Sequence, residues 1–174
     1  MPQGVFMNNE LRTYVTIDLD AIARNLRNTR KKAGEGILLC AVIKTDGYGH
    51  GAVEIAHRVE KETDYFAVAE IGEAVTLRQA GITMPILILG HTPKEQVGLL
   101  IEKNITQAVT CEAKALEYSA EAVKCGGILK IHVKVDTGMS RLGFLCSGGY
   151  FDEGVDNVIA SCRLPGLLPE GVFT

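Results

Sequence analysis

Residues 36–51 read GILLCAVIKTDGYGHG. The run Gly36–Ile43 is apolar or small throughout and too short for an ordinary helix, so it reads as a strand covered on both faces. It ends at Lys44. One reading of such a lysine is a side chain that buries its stem and keeps its amine in water. The other is chemical. Desolvation favours a neutral lysine amine, the form that adds to an aldehyde carbonyl to give a Schiff base. In parallel α/β proteins the C-terminal strand ends face the active site, so Lys44 stands where such a group is used. Gly47, Gly49 and Gly51 then make a loop whose amides suit an anion such as phosphate. Tyr48 adds a hydroxyl donor, and His50 reads as a turn residue.

Outward from this stretch the chain alternates strand and helix. Tyr14–Ile17 (YVTI) reads as a short strand. Asp18 is an N-cap for a helix with Leu19, Ile22, Ala23 and Leu26 on one face, and Gly34 is its C-cap. The arginines and lysines between Arg24 and Lys32 read as a solvated face. Beyond Lys44, helical patterns cover residues 51–61, 71–80, 93–103, 112–124 and part of 148–161. Strand patterns cover 65–69, 85–89, 105–109, 129–135 and, at the end of the chain, 169–174. Residues 129–135 (LKIHVKV) alternate polar and apolar as if one face were exposed. The fold class is therefore α/β with a parallel sheet. Two architectures fit, a doubly wound sheet and a (β/α)8 barrel. No Gly-x-Gly-x-x-Gly follows the first strand, which weakens the dinucleotide-binding alternative.

The 174 residues are 47% hydrophobic and 22% charged, with a net charge of −3. This is the composition of one globular domain, and it offers no basic field for nucleic acid or anionic lipid. No apolar run approaches the roughly 20 residues of a membrane span. The N-terminus lacks the basic and apolar regions of a secretory leader, so a cytoplasmic protein is expected. The five cysteines contain no Cys-x-x-Cys pair and read as reduced, mostly buried thiols. A zinc site needs a tighter cluster, and no metal is expected.

A second motif, KVDTGMSRLGF, spans residues 134–144. It is a strand that runs into a glycine-containing turn and then an arginine. Arg141 can hold a planar carboxylate or a phenolate oxygen through paired hydrogen bonds. Lys134 and Asp136 share one strand face, which also permits a structural Lys–Asp–Arg ion-pair group.

AVIKTDGYGHG resembles the cofactor-lysine motif of pyridoxal-phosphate-dependent alanine racemases, which usually reads AVxKA(D/N)AYGHG; Thr45 and Gly47 stand where the family usually has alanine. KVDTGMSRLG is similar to the family's KxDTGMxRLG. Thr16–Asn28 resembles its opening strand and helix, and the terminal GVFT the start of GxFTHF, whose histidine stacks on the cofactor ring. The resemblance covers essentially the whole chain.

It implies a partial (β/α)8 barrel of about six βα units, forming over residues 1–174 an incomplete N-terminal cofactor domain without the family's C-terminal β domain. It implies interconversion of L- and D-alanine, an isomerase activity that supplies D-alanine for peptidoglycan, in a homodimer. Lys44 would form the internal aldimine and act as one of two bases. Tyr48 would hold the cofactor phosphate. Arg141 would contact the ring oxygen and position the substrate carboxylate. Lys134 matches a lysine carbamylated in many members. The second base, a tyrosine of the partner subunit, and the arginine that pairs with the pyridine nitrogen belong to the part after residue 174. The expectation is that the chain alone has little racemase activity and an association-prone open edge. A serine racemase of the same fold and a non-catalytic pyridoxal-phosphate-binding protein are the alternatives.

Overall fold

The computed structural model describes residues 13–174. The N-terminal segment read for a leader, and the first twelve residues assigned to the domain, lie outside the described residues.

The first described helix, α1, covers Leu19–Ala33. The Asp18 carboxylate accepts the Ala21 N–H at 2.9 Å, and Gly34 ends the helix at φ 92° with its N–H on the Arg30 carbonyl. The basic face is more than solvated. Arg27 pairs with Glu62 at 2.8 Å and Arg30 with Asp64 at 2.6 Å, tying α1 to the segment before the second strand.

Then follow β1 (Cys40–Val42), a tight turn α2 (Lys44–Gly49), α3 (Ala52–Val59), β2 (Tyr65–Val68), α4 (Ile71–Gln79), β3 (Ile86–Ile88), α5 (Val97–Glu102) and β4 (Thr106–Val109). The rest is α6 (Glu112–Lys124), β5 (Leu129–Asp136), the two-residue β6 (Phe144–Leu145), α7 (Phe151–Cys162) and β7 (Leu167–Phe173).

Every strand pair is parallel, and β1, β2, β3, β4, β5 and β7 lie side by side in chain order. The short β6 pairs with the last two residues of β5, Val135 and Asp136. A doubly wound sheet reverses its strand order at a switch point. This one never does, so it is the wall of a (β/α) barrel, a partial barrel to which the described residues contribute six parallel strands besides the short β6.

Alternation along the strands separates two faces. Phe66, Val68, Ile86, Ile88, Val109, Ile131 and Val133 point outward, are buried and form one core with the helices. Ala67, Leu87 and Ala108 point inward and form a smaller cluster with Tyr65, Leu89 and Phe173. The polar residues of β5 also face the barrel interior, not bulk solvent: Lys130 pairs with Glu170 of β7 at 3.3 Å, and His132 sits beside Tyr65 and Phe173.

Two expectations are corrected. Tyr14–Ile17 forms no strand; Tyr14 and Val15 are 76% and 82% exposed. Strand propensity is realised only beside a partner strand and a packing face. The cysteines are free, as expected, but not buried. Cys111 and Cys125 cap the two ends of α6, Cys40 faces the barrel interior, and Cys146 and Cys162 are half-buried.

Candidate active site

Lys44 leaves the end of β1 and opens α2, whose backbone is unusual. Thr45, Asp46, Gly47 and Tyr48 have φ of 55°, 52°, 63° and 57°. This is one turn of left-handed helix, which costs about 1–2 kcal/mol for each residue carrying a Cβ. Hydrogen bonds hold it closed. The Gly47 N–H meets the Ile43 carbonyl at 2.9 Å, and the Gly51 N–H meets the Asp46 carbonyl at 2.9 Å. The Asp46 carboxylate accepts the Ala52 N–H at 2.8 Å, and Glu73 of α4 accepts the Thr45 N–H. His50 Nδ1 lies 3.0 Å from both the Gly47 and Tyr48 carbonyls, a donor's position, so His50 is a turn residue. A Cβ at Gly47 would lie 2.8 Å from Ile55 Cδ1, so a larger residue there needs that side-chain end to shift. The reading of Gly47, Gly49 and Gly51 as an open amide loop for an anion is corrected: the Gly47 and Gly51 amides are already used inside the turn.

The barrel brings distant residues to this point. Lys44, Lys134 and Arg141 line one cleft of about 250 Å³ at the C-terminal strand ends. Its walls are Ala69, Leu89, Gly90, Met139, Leu142 and Phe173. Lys134 reaches it from β5, paired in register with Phe173 of β7, and its Nζ lies 5.1 Å above the Phe173 ring, a cation–π contact.

Arg141 is placed by the loop after β5. Asp136 is buried at the strand end, and its carboxylate accepts the main-chain N–H groups of Gly138, Ser140 and Arg141, each at 2.9 Å. The bonds from Ser140 and Gly138 hold the Asp136 carboxyl below the usual carboxylate range. The ion-pair reading of Lys134, Asp136 and Arg141 is thereby corrected: Asp136 shapes the loop backbone rather than pairing with the guanidinium.

Tyr48 does not line this cleft. It is 59% exposed and borders a neighbouring groove with Ile22, Leu26 and His50. Two supports escaped the sequence reading. One is Glu73, signalled only by an acid three residues after the N-cap Glu70 of α4. The other is a buried network behind Gly90. There Gln107 donates to the Gly90 carbonyl at 2.7 Å and Thr92 donates to Gln107 at 2.6 Å. The Tyr118 hydroxyl meanwhile bridges the Thr92 N–H and carbonyl. No periodicity marks a glutamine inside a β-strand as its centre.

The cleft thus combines Lys44 at a strand end, Lys134 and Arg141 with apolar walls. Residues 17–174 match the family model of the alanine racemase N-terminal domain. The chain belongs to that family. Within the alanine racemase family, relatives include alanine racemase 1 of Caldanaerobacter subterraneus subsp. tengcongensis, 39% identical over 93% of this chain and 41% of the relative. The alanine racemase of Clostridium perfringens strain SM101 is 44% identical over 92% of this chain and 41% of its own length. Among solved structures, the alanine racemase of Clostridium difficile 630 in complex with cycloserine superposes with a TM-score of 0.80 at 41% identity, covering 90% of this chain and 41% of that one. The Bacillus anthracis alanine racemase with bound L-Ala-P gives 0.75 at 32% identity, over 90% of this chain and 39% of that one. The chain therefore spans about two fifths of the length of the alanine racemases it matches. No helix among the described residues is long and apolar enough to cross a membrane.

Proposed function

We propose that this chain forms the pyridoxal-phosphate-holding, lysine-bearing part of an alanine racemase. The observation that carries the reading is the convergence of Lys44, Lys134 and Arg141 on one cleft at the C-terminal end of the barrel strands. The residues suit the cofactor chemically. An aldehyde calls for an amine, an anionic ring oxygen and phosphate call for cations, and a flat ring calls for apolar walls such as Leu142 and Met139.

Pyridoxal phosphate, when bound, supplies an electron-withdrawing ring that acidifies the Cα–H of an amino acid. The side chains do the rest. Lys44 would bind the cofactor aldehyde through Nζ and, once the substrate amine has displaced it, its free amine would take or return the proton at Cα from its side of the cleft. Arg141 presents its planar fork to a ring oxygen or to the substrate carboxylate, which fixes the amino acid before proton transfer. Lys134 adds positive charge beside it; in carbamylated form it would instead become an acceptor that orients Arg141. Tyr48, four residues after Lys44 in the same turn and bordering the adjoining groove, would offer its hydroxyl to the cofactor phosphate.

Racemisation needs a second base on the opposite face of Cα. In this reading that base comes from the rest of the racemase, in a homodimer, and the chain alone racemises alanine poorly. L- and D-alanine as substrates, a cytoplasmic setting and the supply of D-alanine for peptidoglycan belong to the same proposal.

The test is direct. The chain is incubated with pyridoxal phosphate, reduced with borohydride, and the modified lysine mapped by peptide mass spectrometry. Selective modification of Lys44, abolished in Lys44→Ala, is the expected result. Modification scattered over surface lysines would overturn the assignment of the cofactor site.

A further inference from the structure

The left-handed turn that follows Lys44 has a requirement its own residues do not meet. The first internal bond of the turn is made by the Gly47 N–H to the Ile43 carbonyl. The N–H groups before it have no acceptor within the turn, as at the start of any helical turn. One of them belongs to Thr45, the residue attached directly to Lys44, and it donates to Glu73 Oε1 across the boundary between two βα units.

The other oxygen of the same carboxylate accepts the Ala69 N–H at 2.6 Å. Ala69 follows β2 and forms a wall of the cleft beside Lys44. One side chain therefore ties the backbone carrying the lysine to the backbone of the facing wall. Capping explains only half of this. Glu73 lies in the first turn of α4, where an acid satisfies nearby amides and the helix dipole, and the Ala69 bond is of that kind. The Thr45 bond contributes nothing to α4.

We propose that Glu73 is a positioning residue for Lys44: its carboxylate holds the Thr45 amide, keeps the turn left-handed, and so directs the lysine amine into the cleft. The proposal rests on the reading of Lys44 as the cofactor lysine. Glu73 acts through the backbone. Only a carboxylate at this reach can accept from both amides. Glutamine offers one acceptor oxygen and a competing N–H donor, and aspartate keeps the charge but is one methylene shorter.

The test compares the chain with E73Q and E73D by two measurements. The first is hydrogen exchange of peptides covering residues 44–49 and 65–70, without cofactor. The second is the share of pyridoxal phosphate trapped by borohydride at Lys44. Both variants should retain helix content by circular dichroism. Exchange over 44–49 should rise about tenfold or more, as expected when a hydrogen bond to a charged acceptor is lost. Trapping at Lys44 should fall by a similar factor relative to other lysines.

Unchanged exchange over 44–49 in both variants would overturn the proposal. So would faster exchange with undiminished trapping at Lys44, which would leave Glu73 a helix cap. If the unmodified chain itself fails to trap at Lys44, the cofactor reading falls, and the exchange result alone then decides whether Glu73 holds the turn.

Discussion

The carboxylate of Asp136 accepts the main-chain N–H of Arg141 at 2.9 Å, while the side chain of Arg141 lines the cleft with Lys44 and Lys134. A buried acid thus directs its acceptors to loop geometry, and the guanidinium is left to line the cleft. Two further bonds, from Gly138 and Ser140, complete the cap.

This cap makes a pH-dependent contribution to stability. The native Asp136 carboxyl is held below its ordinary value of 3.8, mainly by the Ser140 and Gly138 amides. The stabilisation is fully present above that value and is lost as pH falls through the lower native one. Asp136→Asn should lower the urea midpoint at neutral pH, because one amide oxygen cannot serve three donors. The gap from the parent chain should narrow as pH drops below about 4. A gap that stays constant from neutral to acid pH would contradict the assignment.

The turn after Lys44 makes a paired test of backbone strain. Thr45 is β-branched and sits at φ 55°, where such residues are genuine outliers. Thr45→Asn should stabilise the chain by about 1 kcal/mol, since Asn tolerates this region far better. Gly47→Ala should destabilise it by about 1 kcal/mol, from φ 63° and from the approach of the new Cβ to Ile55 Cδ1. Adding Ile55→Val removes that methyl and should recover part of the loss. Thermal or urea unfolding reads all three, and a destabilising Thr45→Asn would refute the strain argument.

How much of this was legible in the sequence depends on the range of the forces involved. Helices α1, α4 and α6 carry their own signals in apolar spacing, Asp18, Gly34 and Gly81, and they lie within a residue or two of the expected bounds. β2 and β3 read clearly as apolar runs and β5 as an alternating one, although of Gly36–Ile43 only Cys40–Val42 is strand and Ile37 and Leu38 are exposed. The strand order was not legible, because pairing β5 with β7 and not with a reversed neighbour is a relation between distant segments. Tyr14–Ile17 had the composition of a strand and lacked the partner. Lys44, Lys134 and Arg141 were visible through their motifs. The left-handed turn was not, since Thr and Tyr do not favour it; Glu73 supports it from α4, and bonds of Asp46 and Gly51 close it locally.

Arg78 shows the same limit at the opposite end of the barrel. Within α4 it looks like any helical arginine, yet its guanidinium donates to four carbonyls, those of Ile82, Met84, Lys103 and Asn104, at 2.7–2.9 Å. It joins the turn before β3 to the turn before β4. Arg78→Met keeps most of the stem packing and removes every donor. Partial access of water to these carbonyls moderates the loss, which should be about 3 kcal/mol in urea unfolding. Arg78→Lys should recover less than half, because one ammonium cannot reach four acceptors in the fork geometry. A Met variant within about 0.5 kcal/mol of the parent would show that these bonds exchange freely with water.

Arg141 separates charge from shape in the proposed ligand site. Its side chain is exposed, so replacing it should leave stability within about 0.5 kcal/mol. Binding should respond differently. Arg141→Lys retains the positive charge and loses the planar pair of donors, and pyridoxal phosphate affinity should fall about tenfold, or about 1.4 kcal/mol. Arg141→Ala should lose more, since the charge goes too. Graded pyridoxal phosphate with borohydride trapping at Lys44 measures both variants on one scale, and added salt reports the charge component, which screening weakens. If lysine matches arginine at every salt concentration, a point charge suffices at this position and the paired-donor role fails. If lysine is as poor as alanine, the fork carries the recognition, and the loop held by Asp136 is the element that aims it.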